Sequence, residues 1–241
     1  MKERPLLGEW AWFIKNSILI VIYAIVALHL YDVIAEISVQ LHEPTTLFTP
    51  IDHLVPFISA FAIIYVFIFY PFVIYTLGYF MYIKPEKANR FFIAIMIIYA
   101  ISYMTYLIFP VMMIRPKELP DDFLSRVMAK YYESDPPYNC FPSLHAANAT
   151  ITAYYLGREK PEYKYVFWLI AFLVMLSTLF VRQHVIADEI AGFLVAYFAG
   201  WISEKKIPLS AEVKKRVKER IIFTVILGAI VVMFVIMGYL P

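Results

Sequence analysis

The stretch FFIAIMIIYAISYMTYLIF, residues 91–109, contains no charged residue and no glycine. An α-helix rises ~1.5 Å per residue, and about 20 apolar residues are needed to cross the ~30 Å hydrocarbon core of a bilayer. A helix over this stretch is therefore long enough to span a membrane. The run also lacks the apolar and polar alternation that is typical of a transmembrane β-strand.

The rest of the chain has the same character as this stretch. Of its 241 residues, 62% are hydrophobic and only 7 are glycine, and the mean hydropathy is +0.69. This composition excludes an ordinary soluble domain, a collagen and a disordered chain. We predict an all-α, polytopic membrane helical bundle whose spans cover residues 13–34, 57–82, 89–112, 144–157, 164–181, 185–203 and 220–240.

Basic residues collect in alternate connections between these spans. Most of the 21 lysines and arginines lie at the N-terminus and after the second, fourth and sixth spans. Because such residues accumulate on the cytoplasmic side, we expect the N-terminus inside and, after seven crossings, the C-terminus outside. The predicted domains are a six-helix core with an outer-face site over 1–203, a basic cytoplasmic connector over 204–219, and an additional C-terminal transmembrane helix over 220–241.

The connection after the third span contains an amphipathic stretch, DDFLSRVMAKYY, at residues 121–132. Its apolar side chains fall on one face of a helix and its charged side chains fall elsewhere. The pattern predicts an interfacial helix. The sequence leaves open whether this helix covers a site or only connects two spans.

The motif FPSLH at residues 141–145 opens the fourth span from the outer side. Pro142 and Ser143 form a helix-start signature, so free backbone N–H groups and the positive end of the helix dipole point outward. Such a helix end attracts anions. The alternative is that Ser143 is a simple N-cap and His145 a satisfied residue of the first turn.

The second motif, RQHVIAD at residues 182–188, lies in the tight outer connection between the fifth and sixth spans. His184 and Asp188 are four residues apart, so the carboxylate can accept a hydrogen bond from one imidazole nitrogen. The other nitrogen is then free to act as a nucleophile or general base. The alternative is a polar pair that only caps the sixth span.

Two arginines flank these motifs on the same face. Arg115 follows the third span and Arg182 precedes His184. The planar fork of arginine suits phosphate oxygens, although basic residues at this depth also anchor proteins to lipid headgroups. Phosphoryl transfer requires groups that bind an anion and groups that transfer protons or attack phosphorus. The helix end and the two arginines suit the first role, and the two histidines suit the second.

PSLH and RQHVIAD, with the Arg-Pro pair at 115–116, resemble the motifs of the type 2 phosphatidic acid phosphatase (PAP2) superfamily, which are K-x6-RP, PSGH and SR-x5-H-x3-D. The resemblance implies that His184 attacks phosphorus to form a phosphohistidine, that Asp188 orients it, and that His145 protonates the leaving group. It implies neither a metal nor another cofactor. The expected phosphate-binding residues are Arg115, Ser143, Leu144 and Arg182.

The chain departs from the family pattern at three positions. The family lysine falls on Ile108, the glycine of PSGH on Leu144 and the arginine of SR on Thr178. Two phosphate-binding cations are thus replaced, and Arg182 is the expected substitute. The forms FPSLH and RQH resemble the branch that includes inositol-phosphorylceramide synthases and related bacterial and archaeal proteins.

The resemblance predicts a metal-independent lipid phosphatase of a prokaryotic plasma membrane, with its active site on the outer face and a lipid phosphate or diphosphate as substrate. Nucleic acid is not an expected partner, and the sequence does not define an oligomeric state. One alternative is a phosphotransferase that moves a phosphoryl or phosphoryl-alcohol headgroup between lipids. Others are a non-enzymatic transporter of anionic lipids and a zinc hydrolase with His145, His184 and Asp188 as metal ligands.

Overall fold

The computed structural model of the protein describes residues 18, 25–27 and 29–205, and Ile34–Lys205 form one compact unit. Over this described part the chain is helical and contains no strand. The only extended pairings in it are two isolated bridges that join Val111 to Thr45 and to Asn139. The predicted all-α class is confirmed.

The described part of the chain is built mostly from long helices. Four of them are long and apolar enough to cross a membrane, which makes the chain an integral membrane protein. These four are α2, α3, α6 and α7. In chain order the helices are α1 (29–41), α2 (Ser59–Ile83), α3 (Pro85–Ile108), α4 (Phe123–Ser134), α5 (Leu144–Glu159), α6 (Lys164–Phe180) and α7 (Ile186–Glu204).

Two helices end at residues other than the ends of the predicted spans. The third span was expected to reach residue 112, but α3 ends at Ile108, because the residue before Pro110 is forced out of the helical region. The first span was expected to end at 34, but α1 continues to residue 41 as an amphipathic extension that buries Ser38 and exposes Glu36. The predicted span 220–240 lies outside the described residues, as does most of the connector.

The helix α5 lies at the centre of the bundle and packs against α6, α7, α2 and α3. Most of its side chains are small and buried, while large apolar side chains are exposed on α2, α3, α6 and α7. Small residues allow helices to approach closely in a membrane, and the exposed apolar side chains face lipid. With 16 residues, α5 is about 24 Å long and shorter than the hydrocarbon core.

The closest approach between α5 and α7 occurs at Gly192. A Cβ atom at this position would collide with the backbone carbonyl oxygen of Ser143 and lie 3.0 Å from the Cβ of Ala146. Only glycine allows this distance between the two helices. The contact brings the N-terminal ends of α5 and α7 side by side.

The predicted interfacial helix is present as α4. Asp122 caps it by accepting hydrogen bonds from the backbone N–H of Ser125 at 3.0 Å and from the Ser125 hydroxyl at 2.7 Å. Met128 is fully buried and packs in an apolar cluster with Tyr65 and Val181. α4 is thus docked on the same end of the bundle as the histidine motifs.

Candidate active site

The start of α5 has the form that the FPSLH motif predicts. Ser143 is the N-cap, and its hydroxyl oxygen accepts a hydrogen bond from the backbone N–H of Ala146 at 3.1 Å. Its own backbone N–H donates to the carbonyl oxygen of Asp188 at 3.0 Å. The Tyr106 hydroxyl donates to the carbonyl oxygen of Pro142 at 2.7 Å. These bonds fix the first turn of α5, which includes Leu144, against α3 and α7.

The predicted contact between His184 and Asp188 is present. Nδ1 of His184 lies 3.3 Å from Oδ2 of Asp188, and the same oxygen accepts a hydrogen bond from the backbone N–H of Val185 at 3.1 Å. Both side chains are buried, with His184 only 6% exposed. The carboxylate therefore holds the proton of His184 on Nδ1 and leaves Nε2 as an acceptor.

The second histidine meets the first directly. Nδ1 of His145 lies 3.2 Å from Nε2 of His184, and the two ring centroids are 5.4 Å apart. Because Nε2 of His184 is the acceptor, Nδ1 of His145 carries the donated proton. Asp188, His184 and His145 thus form one line of contacts at the ends of α5 and α7.

The surroundings of His184 determine its charge. Burial alone lowers the pKa of this imidazole, but the hydrogen bond to Asp188 and the negative charges of Glu189 and Asp188 outweigh it. The net effect is a pKa of His184 above the ordinary histidine value of 6.5. Above that pKa the ring is neutral, with its proton on Nδ1 and with Nε2 free to act as acceptor and nucleophile.

Arg115 is connected to His184 indirectly, through the side chain of Gln183. Its guanidinium donates to the carbonyl oxygens of Tyr132 and Asp135 at 3.0 and 2.8 Å, to the Asp135 carboxylate at 3.0 Å, and to the Gln183 side-chain oxygen at 2.8 Å. Among the described residues its Nε–H has no partner. Arg115 therefore ties α4 to the residue beside His184, and its role in binding phosphate stays a prediction.

The guanidinium of Arg182 bonds to a different part of the chain. It donates to the carbonyl oxygens of Asp52 and Val55 at 2.9 and 3.1 Å and lies over the Phe48 ring. The backbone of Arg182 has a φ of 53°, which is uncommon for a residue other than glycine. These contacts hold the loop before His184, and the expected substitution for the family cations stays a prediction.

The loop that Arg182 contacts also supplies a cap for α7. Oδ1 of Asp52 accepts a hydrogen bond from the backbone N–H of Ile186 at 2.9 Å, and Oδ2 accepts from the Thr49 backbone N–H at 2.8 Å. Burial raises the pKa of Asp52, but the bonds from Ile186 and Thr49 outweigh it and the net pKa is lowered. Asp52 stays ionised and caps a helix that begins 134 residues later.

One group of side chains is compact enough for a metal ion. Ligand atoms of Cys140, His184 and Asp188 lie within 4.8 Å of one another. A metal needs the thiolate, whereas burial and then the charge of Asp188 raise the pKa of Cys140 well above its usual value. The thiol donates to the carbonyl oxygen of Pro137 at 3.1 Å. These groups fit a hydrogen-bonded cluster better than a metal centre.

The structure therefore brings together most of the residues that the sequence singled out. Four of them meet at one point, namely Ser143, His145, His184 and Asp188, and Leu144 lies in the same helical turn as His145. Arg115 is linked to this point through Gln183. Arg182 is linked to it through the loop before α2. Sequence reasoning missed Asp52, Asp135 and Gln183, and it missed Tyr65 and Phe69, whose rings lie 4.9 and 5.0 Å from that of His145. Only the position of Gln183 beside a motif histidine offered a signal.

Fold and site together define an integral membrane protein in which a line of contacts joins buried Asp188 and His184 to the partly buried His145 where two helices begin. The model of the PAP2 superfamily matches residues 91–212, just over half of the chain, and the chain belongs to this superfamily. Membership indicates a phosphatase or phosphotransferase activity. Comparisons with curated proteins and with solved structures gave no significant match.

Proposed function

We propose that the protein is a lipid phosphatase that hydrolyses a phosphate monoester or diphosphate of a membrane lipid through a phosphohistidine intermediate. The observation that carries the proposal is the line of contacts from Asp188 through His184 to His145. It lies where the N-terminal ends of α5 and α7 meet, and both helix ends favour an anion. Nucleophile, orienting carboxylate and proton donor are thus adjacent at an anion-attracting position.

In the first step, Nε2 of His184 attacks the phosphorus atom while its Nδ1–H remains bonded to Asp188. The bond between phosphorus and the leaving oxygen breaks, and that oxygen takes the proton from Nδ1 of His145, which enters the step as an imidazolium and leaves it as a neutral imidazole. The two imidazoles contact each other at 3.2 Å in the free protein. The phosphoryl group therefore has to separate the two rings when it binds. The Nδ1–H of His145, which donates a hydrogen bond to His184 in the free protein, then donates to the leaving oxygen.

In the second step, water attacks the phosphohistidine. Nδ1 of His145 takes a proton from the water, oxygen bonds to phosphorus, and the bond between phosphorus and Nε2 of His184 breaks. Inorganic phosphate leaves and both histidines return to their starting protonation states. No metal ion takes part in either step of the proposal.

The proposed substrate is a lipid that stays in the bilayer while it reacts. The short central helix α5 supports this, because its reactive end lies within a bundle whose outer helices expose apolar side chains to lipid. The placement of basic residues supports a site on the outer face. The motif forms, which resemble bacterial and archaeal proteins, support the plasma membrane of a prokaryote. Phosphatidic acid, phosphatidylglycerol phosphate and polyprenyl diphosphate all fit these requirements.

A phosphotransferase is the second candidate function. The phosphohistidine reacts in the same way with a hydroxyl group as with water, and the motif forms PSLH and RQH support the synthase-like branch of the superfamily. The acceptor distinguishes the two functions. Transfer would give a new phosphorylated or headgroup-exchanged lipid in place of free phosphate.

The test is phosphate release by detergent-purified protein from the three lipids, with EDTA present throughout. We expect the wild type to release phosphate, and His184→Ala to lower kcat by about 10⁴-fold or more. His42→Ala is the matched control, because His42 is an exposed histidine at the end of α1. Release that EDTA abolishes, or that His184→Ala retains, would contradict the proposal. Labelled lipid product without free phosphate would favour transfer.

A further inference from the structure

Tyr65 lies in an unusual segment of α2. Residues Ile63–Ile68 form a π-helix, and Tyr65 is the buried residue of that segment, with 0% of its surface exposed. Its neighbours Ile63 and Phe67 are exposed on the outside of the bundle. π-Helical segments shift the register of a helix and occur frequently at functional sites. Here the shifted register places a phenol inside the bundle.

The phenol packs directly against the line of histidines. The Tyr65 ring centroid is 4.9 Å from that of His145, and Phe69, one turn further along α2, lies 5.0 Å from the same imidazole. On its other side, the Tyr65 ring meets Tyr131 of α4 edge-on at 5.0 Å. Tyr65 therefore forms the wall between the proposed proton donor and α4.

The Tyr65 hydroxyl is buried and makes no well-formed hydrogen bond among the residues that the structure describes. The Tyr131 hydroxyl is close enough to interact with it, but this contact lacks proper hydrogen-bond geometry, and the Tyr131 hydroxyl is bonded to that of Tyr70. A buried hydroxyl without a partner destabilises the free protein, and phenylalanine would fill the same space without that cost. The hydroxyl is best explained by a hydrogen bond that forms only when the site is occupied.

We propose that Tyr65 is a substrate-binding residue whose hydroxyl donates a hydrogen bond to an oxygen of the phosphate ester bound between His145 and His184. This inference rests on the proposed function, because it needs a phosphoryl group next to His145. The bond joins a neutral donor to an anionic acceptor in a site shielded from water, where such bonds are strong. It involves no proton transfer and leaves the roles of the two histidines unchanged.

The test compares Tyr65→Phe with Tyr155→Phe. Tyr155 is also buried, but its hydroxyl bonds to that of Ser203 at 2.7 Å at the far end of α5. We expect Tyr65→Phe to lower kcat/KM by about 10- to 100-fold and to weaken binding of orthovanadate, a phosphate analogue, to a similar extent. Its Tm without ligand should equal or exceed that of the wild type. Tyr155→Phe should lower Tm and leave kcat/KM and vanadate binding unchanged.

Vanadate binding is measured as the shift in Tm that the anion causes. The comparison therefore does not depend on knowing which lipid is the substrate. An active wild type with unchanged kcat/KM and vanadate binding in Tyr65→Phe would overturn the inference alone. A lower Tm for Tyr65→Phe, with both functional measurements unchanged, would assign the hydroxyl a structural role and also overturn it. A wild type that neither releases phosphate nor binds vanadate would overturn the proposed function itself.

Discussion

The two ends of the helix bundle use polar side chains in different ways. At the end away from the histidines, Lys87 pairs with Glu159 at 2.5 Å, and Glu204 pairs with Arg90 and Arg158 at 3.2 and 3.5 Å. The cations in these pairs are about half exposed. At the histidine end the polar groups are buried, and Tyr65, Asp188 and Gln183 each keep a buried polar atom without a partner in the described structure.

This difference separates groups that hold the fold from groups held ready for a ligand. The partners of such surface ion pairs satisfy each other, and pairs with a half-exposed cation contribute little to stability, typically ~0–1 kcal/mol each. Buried polar atoms without partners destabilise a protein and are found mainly where function requires them. Substitutions at the histidine end should therefore change activity strongly, and those at the other end should change it little.

After His184→Ala, the largest effect is expected for Asp188→Asn. The variant keeps the size of the side chain but removes the charge that holds the His184 proton on Nδ1, so kcat should fall by about 10³- to 10⁴-fold. In the wild type, kcat/KM should rise with pH as His184 loses its proton, with a midpoint above 6.5 because the pKa is raised. In the variant burial dominates, so the midpoint should move below that of the wild type.

The measurement is a pH profile of kcat/KM for both proteins, with the melting temperature recorded at each pH. A variant with wild-type kcat would show that Asp188 does not orient His184. A variant whose midpoint stays at the wild-type position would show that Asp188 does not set the pKa of the nucleophile.

Gly192→Ala should give the next largest effect. The added methyl group meets the carbonyl oxygen of Ser143, so α5 and α7 must move apart, at a cost of about 1–3 kcal/mol. Activity should fall together with Tm, because the same contact joins the two helix ends that carry His145 and Asp188. The matched control is Gly78→Ala, where a Cβ would meet nothing within 4 Å. Equal Tm values for both variants would show that the close approach is not needed.

Asp52→Ala should have a smaller effect. It removes the cap on the backbone N–H of Ile186 and should destabilise the protein by about 1–2 kcal/mol, with a moderate loss of activity. The folded-state pKa of Asp52 lies below 3.8, so its stabilisation is present at neutral pH and is lost as the pH falls through that lowered value. The Tm difference between wild type and variant should therefore shrink below pH 3.8.

The control for this measurement is Asp121→Ala, which removes an exposed carboxylate paired with Arg126 at 2.7 Å. Thermal unfolding of the three proteins over a range of pH tests the prediction. A Tm difference for Asp52→Ala that does not depend on pH would show that the ionised carboxylate is not the stabilising form.

Glu204→Gln should have the smallest effect. It weakens the ion pairs with Arg90 and Arg158 and should lower stability by at most about 1 kcal/mol. Phosphate release should be unchanged, because the pair lies at the opposite end of α7 from Asp188. A loss of activity in this variant without a loss of stability would break the contrast between the two ends.

The sequence predicted the helices and motifs because both are local patterns. Apolar runs predicted α2, α3, α6 and α7 to within a few residues, apart from the end of α3. The spacing of His184 and Asp188 predicted their contact, since residues four apart share a helix face. The helix start at Ser143 was equally local, because Pro and Ser mark it directly.

The groups that the sequence did not predict depend on contacts between distant segments. Asp52 caps Ile186, and Arg115 meets Gln183 68 residues further along the chain, so no spacing rule links them. Tyr65 was missed for a different reason. In a regular helix its register gives no sign of a buried position, and the π-helix that turns it inward leaves no apolar period to recognise.

The bonds of Arg115 give the molecule a mechanical property. One guanidinium holds the C-terminal end of α4, through the carbonyl oxygens of Tyr132 and Asp135, and the side chain of Gln183, next to His184. A displacement of α4 therefore acts on the same guanidinium that holds the side chain of Gln183, the residue before the nucleophile. The docking of α4 and the alignment of the His184 imidazole are therefore coupled, so that a movement of α4 changes the position of His184.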